Sequence, residues 1–152
     1  IQPGDVLVVD AGGAMDRAIA GGLLLRYAAS RGAAAVVIDG AIRDLAELRG
    51  IDLPVYARGV CPHGPSKAAS GEIPGRITLG GAVVHQGDVI VGDRDGVVVV
   101  AADLADDVAR EAHAVVARED SSVAAIDSGH WSRPWVEGLL LIPTHTTEST
   151  DK

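Results

Sequence analysis

Two apolar runs rich in β-branched residues, joined by a stretch with helical spacing, constrain the fold more than any other feature of this chain. The first run is Val6–Val9, which ends at Asp10-Ala11-Gly12-Gly13, and the second is Ala35–Ile38, which is followed by a break at Asp39-Gly40. Their continuous apolar character is typical of strands buried on both faces of a parallel sheet. Between them, residues 22–30 place apolar side chains at helical spacing, and Arg31-Gly32 supplies a helix stop signal. This order predicts a right-handed βαβ unit.

The same pattern repeats once and then gives way to shorter strands. A short helical stretch at residues 43–49 leads to a strand-like segment at 53–57, so the first 60 residues predict a parallel βαβαβ arrangement. The segment 60–75 is rich in Gly, Pro and Ser and predicts a structured loop. Beyond it, glycine turns separate four predicted strands, which cover residues 76–79, 82–85, 88–91 and 97–100.

The C-terminal part of the sequence predicts one long helix. Asp103 is positioned to cap a helix that runs to about Glu119, because an apolar stripe lies opposite charged residues along this segment. The tail 128–152 shows no clear period. At 152 residues the chain fits a single α/β domain over residues 1–152, with a parallel βαβαβ start, a β half with glycine turns and a C-terminal helix.

Charge and composition argue against several classes of protein. With 21 acidic against 13 basic residues the formal net charge is −8, and no Lys/Arg cluster predicts binding to nucleic acid. No apolar run approaches the roughly 20 residues that span a bilayer, and the single cysteine, Cys61, cannot form an internal disulfide. We therefore expect a cytoplasmic protein that binds neither nucleic acid nor membrane.

The first candidate ligand site is the loop after the first predicted strand, because open parallel sheets bind ligands at the carboxyl ends of their strands. This loop reaches Gly21-Gly22-Leu23-Leu24 directly before the helix. Glycines there let a ligand approach the backbone, and free N–H groups at a helix N-terminus attract a carboxylate or phosphate. The alternative is that these glycines only make a tight connection between strand and helix.

The second candidate site follows the next strand and places a fixed cation, Arg43, beside a carboxylate, Asp44. Arginine offers a planar fork that matches a carboxylate, and aspartate is a hard oxygen ligand for Mg²⁺ or Mn²⁺. The pair could therefore hold a 2-oxo acid between a cation and a metal ion. The alternatives are a surface ion pair, or Asp44 acting as the cap of the short helix that follows.

Several segments in a fixed order carry a family resemblance, and they are Gly21–Leu24, Ala35–Asp44, His63–Lys67, Gly80-Gly81, Gly87–Val91 and Asp95–Val99. Together they resemble the RraA-like family, which includes the 4-hydroxy-4-methyl-2-oxoglutarate/4-carboxy-4-hydroxy-2-oxoadipate aldolases. The resemblance runs from about Gln2 to Arg118 and implies an RraA-like β/β/α swivelling-type fold. Family members usually carry a further N-terminal segment, which this sequence lacks.

The aldolase branch of this family has a signature of one acidic residue, twenty intervening positions and then Arg-Asp. The resemblance implies that Arg43 binds pyruvate and that Asp44 holds the divalent metal, Mg²⁺ or Mn²⁺. It also implies that the backbone N–H groups of Leu23 and Leu24 contact the substrate carboxylate. The predicted catalytic residues are therefore Arg43 and Asp44.

The acidic position of the signature falls on Gly22, so the residue that helps to position a proton-carrying water is missing. His63 or Lys67, in the loop after the third strand, could serve in proton transfer instead. Lys67 also belongs to the predicted substrate-binding set, together with Gly21, Gly22, Leu23, Leu24 and Arg43. The alternative is that Lys67 is a solvated loop residue.

The resemblance implies a carbon–carbon lyase of the class II pyruvate aldolase or oxaloacetate decarboxylase type, acting on a small 2-oxo acid through a pyruvate enolate. One alternative is the RraA branch, whose members are non-catalytic protein-binding regulators of an RNA-degrading enzyme, or a degenerate scaffold. Another is a related lyase for a different acid, for which Gly22 makes extra room. The resemblance further implies a homotrimer or a dimer of trimers.

Overall fold

The computed structural model describes residues 1–66, 68, 71–73, 75–137 and 139. The chain forms two compact units, of which the first covers Ile1–Val108 and the second begins at Ala109. Every strand described below belongs to the first unit. The predicted single domain over residues 1–152 stays a prediction.

The first unit begins with a three-stranded parallel sheet in the order β1-β2-β3. This confirms the predicted βαβαβ start, since a helix follows each of the first two strands. The elements are β1 (Val6–Ala20), α1 (Gly22–Ser30), β2 (Ala35–Ile42), α2 (Leu45–Leu48) and β3 (Val55–Val60).

The central strand β2 forms the middle of the hydrophobic core. Its residues from Val36 to Ile42 are all buried, as expected for a strand that pairs on both edges and packs on both faces. Leu25 and Ala28 of α1 pack into the same cluster with Val36 and Ile38. Since Leu25 and Ala28 lie three residues apart on one helix face, the spacing that predicted the helix also identifies its buried side.

Strands β1 and β2 are both longer than predicted. β1 was expected to end near Asp10, but it continues to Ala20 with register shifts after Asp10. Gly12 and Gly13 allow this irregular course, because both adopt a left-handed φ, of 59° and 73°.

The predicted break in β2 at Asp39-Gly40 is wrong. β2 passes through both residues without interruption and ends at Ile42. Gly40 is needed for close packing instead of a turn, because a Cβ there would lie 2.8 Å from the Cβ of Ala11 and 3.2 Å from the carbonyl oxygen of Ala14. β1 and β2 therefore run side by side to their last residues, Ala20 and Ile42, which directly precede the candidate site segments at Gly21 and Arg43.

Two antiparallel hairpins follow, as the glycine turns predicted. They pair β4 (Arg76–Leu79) with β5 (Ala82–His85), and β6 (Val89–Gly92) with β7 (Val97–Val100). Gly80 and Gly81 form the first turn with φ values of 56° and 91°, which residues with a Cβ rarely adopt.

The C-terminal helix differs from the prediction at both ends. Asp103 lies inside a 3₁₀ turn, Ala102–Leu104, so it does not cap the helix α3, which runs over Ala105–Asp127. α3 passes the expected end at Glu119, and the hydroxyl groups of Ser121 and Ser122 donate hydrogen bonds to the carbonyl oxygens of Ala117 and Arg118 within the helix. A short helix α4 (Pro134–Glu137) lies in the tail, where no period was detected. None of the helices in the described part of the chain is long and apolar enough to cross a membrane.

Candidate functional site

The two candidate loops meet at the carboxyl ends of β1 and β2. Ala20, the last residue of β1, is paired with Ile42, the last residue of β2. The N–H group of Arg43 donates a hydrogen bond of 3.0 Å to the carbonyl oxygen of Ala20. The sheet therefore brings the Gly21-Gly22 backbone next to the Arg43-Asp44 pair, although the two segments lie about twenty residues apart in the sequence.

Asp44 has a strained backbone that turns its carboxylate towards α1. Its φ of 64° and ψ of 38° are left-handed, and among the described residues it is the single non-glycine residue with a positive φ. The N–H group of Gly22 donates a 3.0 Å hydrogen bond to Asp44 Oδ2. Strained backbone of this kind is concentrated at functional sites, where the surrounding structure holds it in place.

The sequence left open that Asp44 caps the short helix after it, and the structure shows a different arrangement. Asp44 occupies the N-cap position of α2, but its side chain makes no capping hydrogen bond there. Its carboxylate accepts from the first residue of α1 instead, close to the positive end of that helix dipole. Asp44 therefore links the two loops of the candidate site.

The side chain of Arg43 passes close to two glycines. A Cβ at Gly21 would lie 2.9 Å from Arg43 Cγ and 3.0 Å from Nε, and a Cβ at Gly64 would lie 2.7 Å from Nη1. Arg43 Nε is 3.5 Å from Asp44 Oδ2, and the Arg43 side chain is 41% exposed. The guanidinium is thus held near the Asp44 carboxylate while much of its surface stays accessible to an anionic ligand.

The first turn of α1 completes the arrangement with backbone donors. The N–H group of Leu25 donates to the carbonyl oxygen of Gly21 at 3.1 Å, which is the first hydrogen bond of the helix. The N–H groups of Leu23 and Leu24 precede it, in the turn where a helix supplies no acceptor of its own. The side chain of Leu23 is 86% exposed, so this end of the helix is open to solvent.

Glu47 is a site residue that the sequence reasoning missed. A Cβ built on Gly22 would collide with Glu47 Oε2 and would lie 3.3 Å from Glu47 Cδ. The carboxylate of Glu47 therefore lies directly beside the position where the aldolase signature has its acidic residue. A signal was present in the sequence, because Asp44 and Glu47 have the spacing of an N-cap residue and the acidic residue three positions later, which lie close together at a helix start.

The two residues suggested for proton transfer receive no comparable support. The carbonyl oxygen of His63 accepts a 2.7 Å hydrogen bond from the N–H group of Ala18, which anchors the loop through its backbone, while the residue is exposed. Lys67 lies outside the described residues. Its predicted contact with the substrate stays a prediction, as do the roles assigned to Arg43, Asp44, Leu23 and Leu24.

A second polar cluster holds the sheet and a hairpin together. Asp39 is 9% exposed, forms an ion pair with Arg58 and accepts a 2.9 Å hydrogen bond from the N–H group of Gly80. The hydrogen bond from Arg58 and then that from Gly80 hold the pKa of Asp39 below its usual value, against the opposing effect of burial. An open cavity of about 630 Å³ borders this pair. The Asp39 carboxylate is already bonded to Arg58 and to the Gly80 N–H group. We therefore place the candidate chemistry at Arg43 and Asp44.

Comparison with known proteins decides the family. Residues 1–99 match the family model for RraA-like proteins, described as Aldolase/RraA. The chain belongs to the RraA-like family. A relative from Halalkalibacterium halodurans, with the provisional name 4-hydroxy-4-methyl-2-oxoglutarate aldolase, is 39% identical to this RraA-like chain over 140 residues, which are 91% of this chain and 67% of the relative.

Solved structures of RraA-like proteins share the fold. Streptomyces coelicolor RraAS2, described as an unusual member of the RNase ES inhibitor RraA protein family, is 35% identical with a TM-score of 0.72, over 80% of this chain and 63% of that one. The RNA-processing inhibitor RraA from Thermus thermophilis is also 35% identical, with a TM-score of 0.61, over 65% of this chain and 62% of that one. The RraA-like chain thus spans about two thirds of the length of these relatives.

Proposed function

We propose that this chain is a carbon–carbon lyase that cleaves a small 2-oxo acid through a pyruvate enolate. The observation that carries the proposal is the convergence of Arg43, Asp44 and the first turn of α1 at Gly21-Gly22. A cation, a carboxylate and free backbone donors are the groups that such a reaction needs. The relative with a provisional aldolase name supports the same reaction class.

The substrate would be held by its own carboxylate and 2-oxo groups. The N–H groups of Leu23 and Leu24, at the positive end of the α1 dipole, suit the carboxylate. The exposed fork of Arg43 suits the 2-oxo oxygen, since it can donate hydrogen bonds while it carries a positive charge. Both groups lie at the carboxyl ends of β1 and β2, so they could act on one substrate molecule.

The side chains at this site fit Mg²⁺ or Mn²⁺ better than a metal ion that needs several protein ligands. In the described part of the chain, no three His, Cys, Asp or Glu side chains gather to hold a metal, as a zinc site would require. Mg²⁺ usually keeps several waters and binds through one or two carboxylates, and Asp44 offers such a carboxylate with 36% of its side chain exposed. When bound, the ion would supply Lewis-acid polarisation of the 2-oxo group.

Arg43 then acts on the charge that develops during cleavage. In a retro-aldol reaction the substrate hydroxyl releases its proton to solvent, its oxygen becomes the carbonyl of the leaving fragment as the bond between C3 and the carbinol carbon breaks, and the electron pair of that bond forms the enolate. In oxaloacetate decarboxylation the same enolate forms as CO₂ leaves. The Arg43 guanidinium stabilises the enolate oxygen in both cases, and protonation of C3 gives pyruvate.

A protein-binding regulator is the second candidate function. Two solved relatives carry names of RNA-processing inhibitors, and Gly22 departs from the aldolase signature. Leu23, Leu24 and Tyr27 on α1 are also exposed, and an exposed apolar helix face is suited to a protein partner. A homotrimer or dimer of trimers would bury such a face as well, and we keep both the assembly and a cytoplasmic location as proposals.

Pyruvate release tests the lyase. Purified protein with Mg²⁺ or Mn²⁺ is assayed on oxaloacetate and on 4-hydroxy-4-methyl-2-oxoglutarate, with pyruvate measured by a coupled dehydrogenase. We expect Arg43→Ala to lower kcat/KM by at least about 100-fold, the usual effect of removing a donor to a developing oxyanion. Asp44→Ala and chelation with EDTA should have effects at least as large.

Matched controls on α3 separate the site from general charge effects. Arg118→Ala and Asp120→Ala remove the same side-chain types from exposed positions of that helix, and both should retain wild-type turnover. Absence of metal-dependent pyruvate release from either substrate by the wild-type protein would refute the lyase and favour the regulator.

A further inference from the structure

The backbone at position 22 does not require glycine, but the space beside it is occupied by a neighbouring side chain. Gly22 is the first residue of α1 and is not among the glycines with a positive φ, so other residues could adopt its conformation. The carboxylate of Glu47 lies beside Gly22, and Glu47 Oε2 occupies the space that a side chain at position 22 would enter. A larger residue at position 22 would therefore displace this carboxylate.

Glu47 reaches this space from the other loop of the site. It lies on α2 three residues after Asp44, and its N–H group donates a 3.0 Å hydrogen bond to the Asp44 carbonyl oxygen. Asp44 itself accepts from the N–H group of Gly22. The two carboxylates therefore come from one turn of backbone and approach the same end of α1, where the helix dipole favours negative charge.

We propose that Glu47 is the positioning residue that supplies the carboxylate missing at position 22. This rests on the proposed lyase function. Glu47 accepts a hydrogen bond from a water molecule beside the substrate and orients it towards C3 of the enolate. That water protonates C3, which gives the methyl group of pyruvate, and solvent returns a proton to the hydroxide that remains. In the retro-aldol reaction this proton balances the one that the substrate hydroxyl released to solvent, and in decarboxylation it is the one proton taken up overall.

The competing explanation is that Glu47 only stabilises the end of α1. An exposed carboxylate near a helix N-terminus makes a small favourable contribution to stability through the helix dipole. That role would change the free energy of unfolding and leave catalysis intact. A purely stabilising role would not depend on catalysis. The two explanations therefore predict different rates of pyruvate release when the carboxylate is moved from position 47 to position 22.

The experiment moves the carboxylate between the two positions. Glu47→Gln keeps the shape and removes the charge, Glu47→Ala opens the space, and the double variant Glu47→Ala with Gly22→Glu returns a carboxylate from the α1 side. Glu111→Gln on α3 is the matched control. Each protein is assayed for kcat and KM in pyruvate release, for deuterium incorporation into the methyl group of pyruvate in D₂O by NMR, and for thermal melting.

We expect Glu47→Gln to lower kcat and the rate of deuterium incorporation together by about 100-fold, near the lower end of measured general acid–base effects. KM should change by less than about threefold, because the groups that bind the substrate are untouched. The double variant should recover at least about tenfold over Glu47→Ala in both rates. Glu111→Gln should behave as the wild type.

The failures of the two proposals can be told apart. If the wild type releases pyruvate and Glu47→Gln does so at the same rate, the role of Glu47 is refuted while the lyase stands. Loss of activity in Glu47→Gln without recovery in a folded double variant, or with a large rise in KM, would also refute the positioning role. If the wild type neither releases pyruvate nor exchanges the methyl protons, both proposals fail.

Discussion

The left-handed backbone of Asp44 predicts an unusual order of stability among variants at this position. Asp44→Gly and Asp44→Ala both remove the carboxylate and its hydrogen bond with the Gly22 N–H group, so they differ in backbone preference alone. At an ordinary helical or extended position, alanine is the more stable of the two. At φ 64° and ψ 38° we expect the reverse.

The magnitude follows from two opposing terms. A Cβ in the left-handed region costs roughly 1–2 kcal/mol, which glycine avoids. Glycine loses about 0.5–1 kcal/mol more than alanine because its unfolded chain is more mobile. Asp44→Gly should therefore be more stable than Asp44→Ala by about 0.5–1 kcal/mol, or by about 1–4 °C in melting temperature for a chain of this size.

Urea unfolding measures this difference, with equal m-values as the check that both variants unfold by the same transition. Asp44→Asn serves as the reference, because asparagine tolerates the left-handed region and keeps an oxygen that can accept from Gly22. It should unfold near the wild-type urea concentration and still lack turnover. If Asp44→Ala proves as stable as Asp44→Gly, the strained backbone does not hold Asp44 in its functional position and the reasoning is refuted.

Three further predictions concern single groups. Gly21→Ala should lower kcat/KM at least about tenfold by displacing the two charged site side chains, whereas Gly71→Ala, where a Cβ meets nothing within 4 Å, should not change turnover. The pKa of Asp39 is lowered in the folded protein, so the stabilising effect of its carboxylate is present above about pH 4 and is lost as the pH falls through the folded-state pKa. Asp39→Asn should therefore lose less stability towards urea between pH 7 and pH 3 than the wild-type protein does. Leu25→Ala, at a core position that is 1% exposed, should lower the free energy of unfolding by about 3 kcal/mol, against less than about 1 kcal/mol for the half-exposed Leu104→Ala, both by urea unfolding.

The parallel start of the fold was predictable because its signals are local and strong. Val6–Val9 and Ala35–Ile38 are continuous apolar runs, and the helix between them has both its spacing and its stop signal in the sequence. The hairpins were predictable for the same reason, since glycine turns separate their strands. Each of these features depends on residues within one element or one turn.

The extent of β1 and the place of Glu47 were not predictable in this way. Asp10 to Gly13 has the composition of a turn, yet after a register shift β1 pairs with β2 again at Ala14 and Gly40. The missing side chain of Gly40 allows the close approach of Ala11 and the Ala14 carbonyl oxygen. Glu47 stands in the sequence as one acidic residue on a short surface helix. Its relation to Gly22 depends on how β1 and β2 end side by side, and that information is spread over the whole sheet.

The described glycines differ in what their missing side chains would meet: several meet nothing within 4 Å, some approach other parts of the scaffold, and some face charged side chains. Gly32 and Gly40 approach other parts of the scaffold, namely Pro3 in one case and Ala11 with the Ala14 carbonyl in the other. Glycines that only make a tight strand-to-helix connection would resemble them. The site glycines instead face charged side chains: Gly21 meets Arg43 and Asp44, Gly22 meets Glu47, and Gly64 meets Arg43. The space that these glycines leave is therefore occupied by a guanidinium and two carboxylates, and a tight strand-to-helix connection alone would need none of these charged groups.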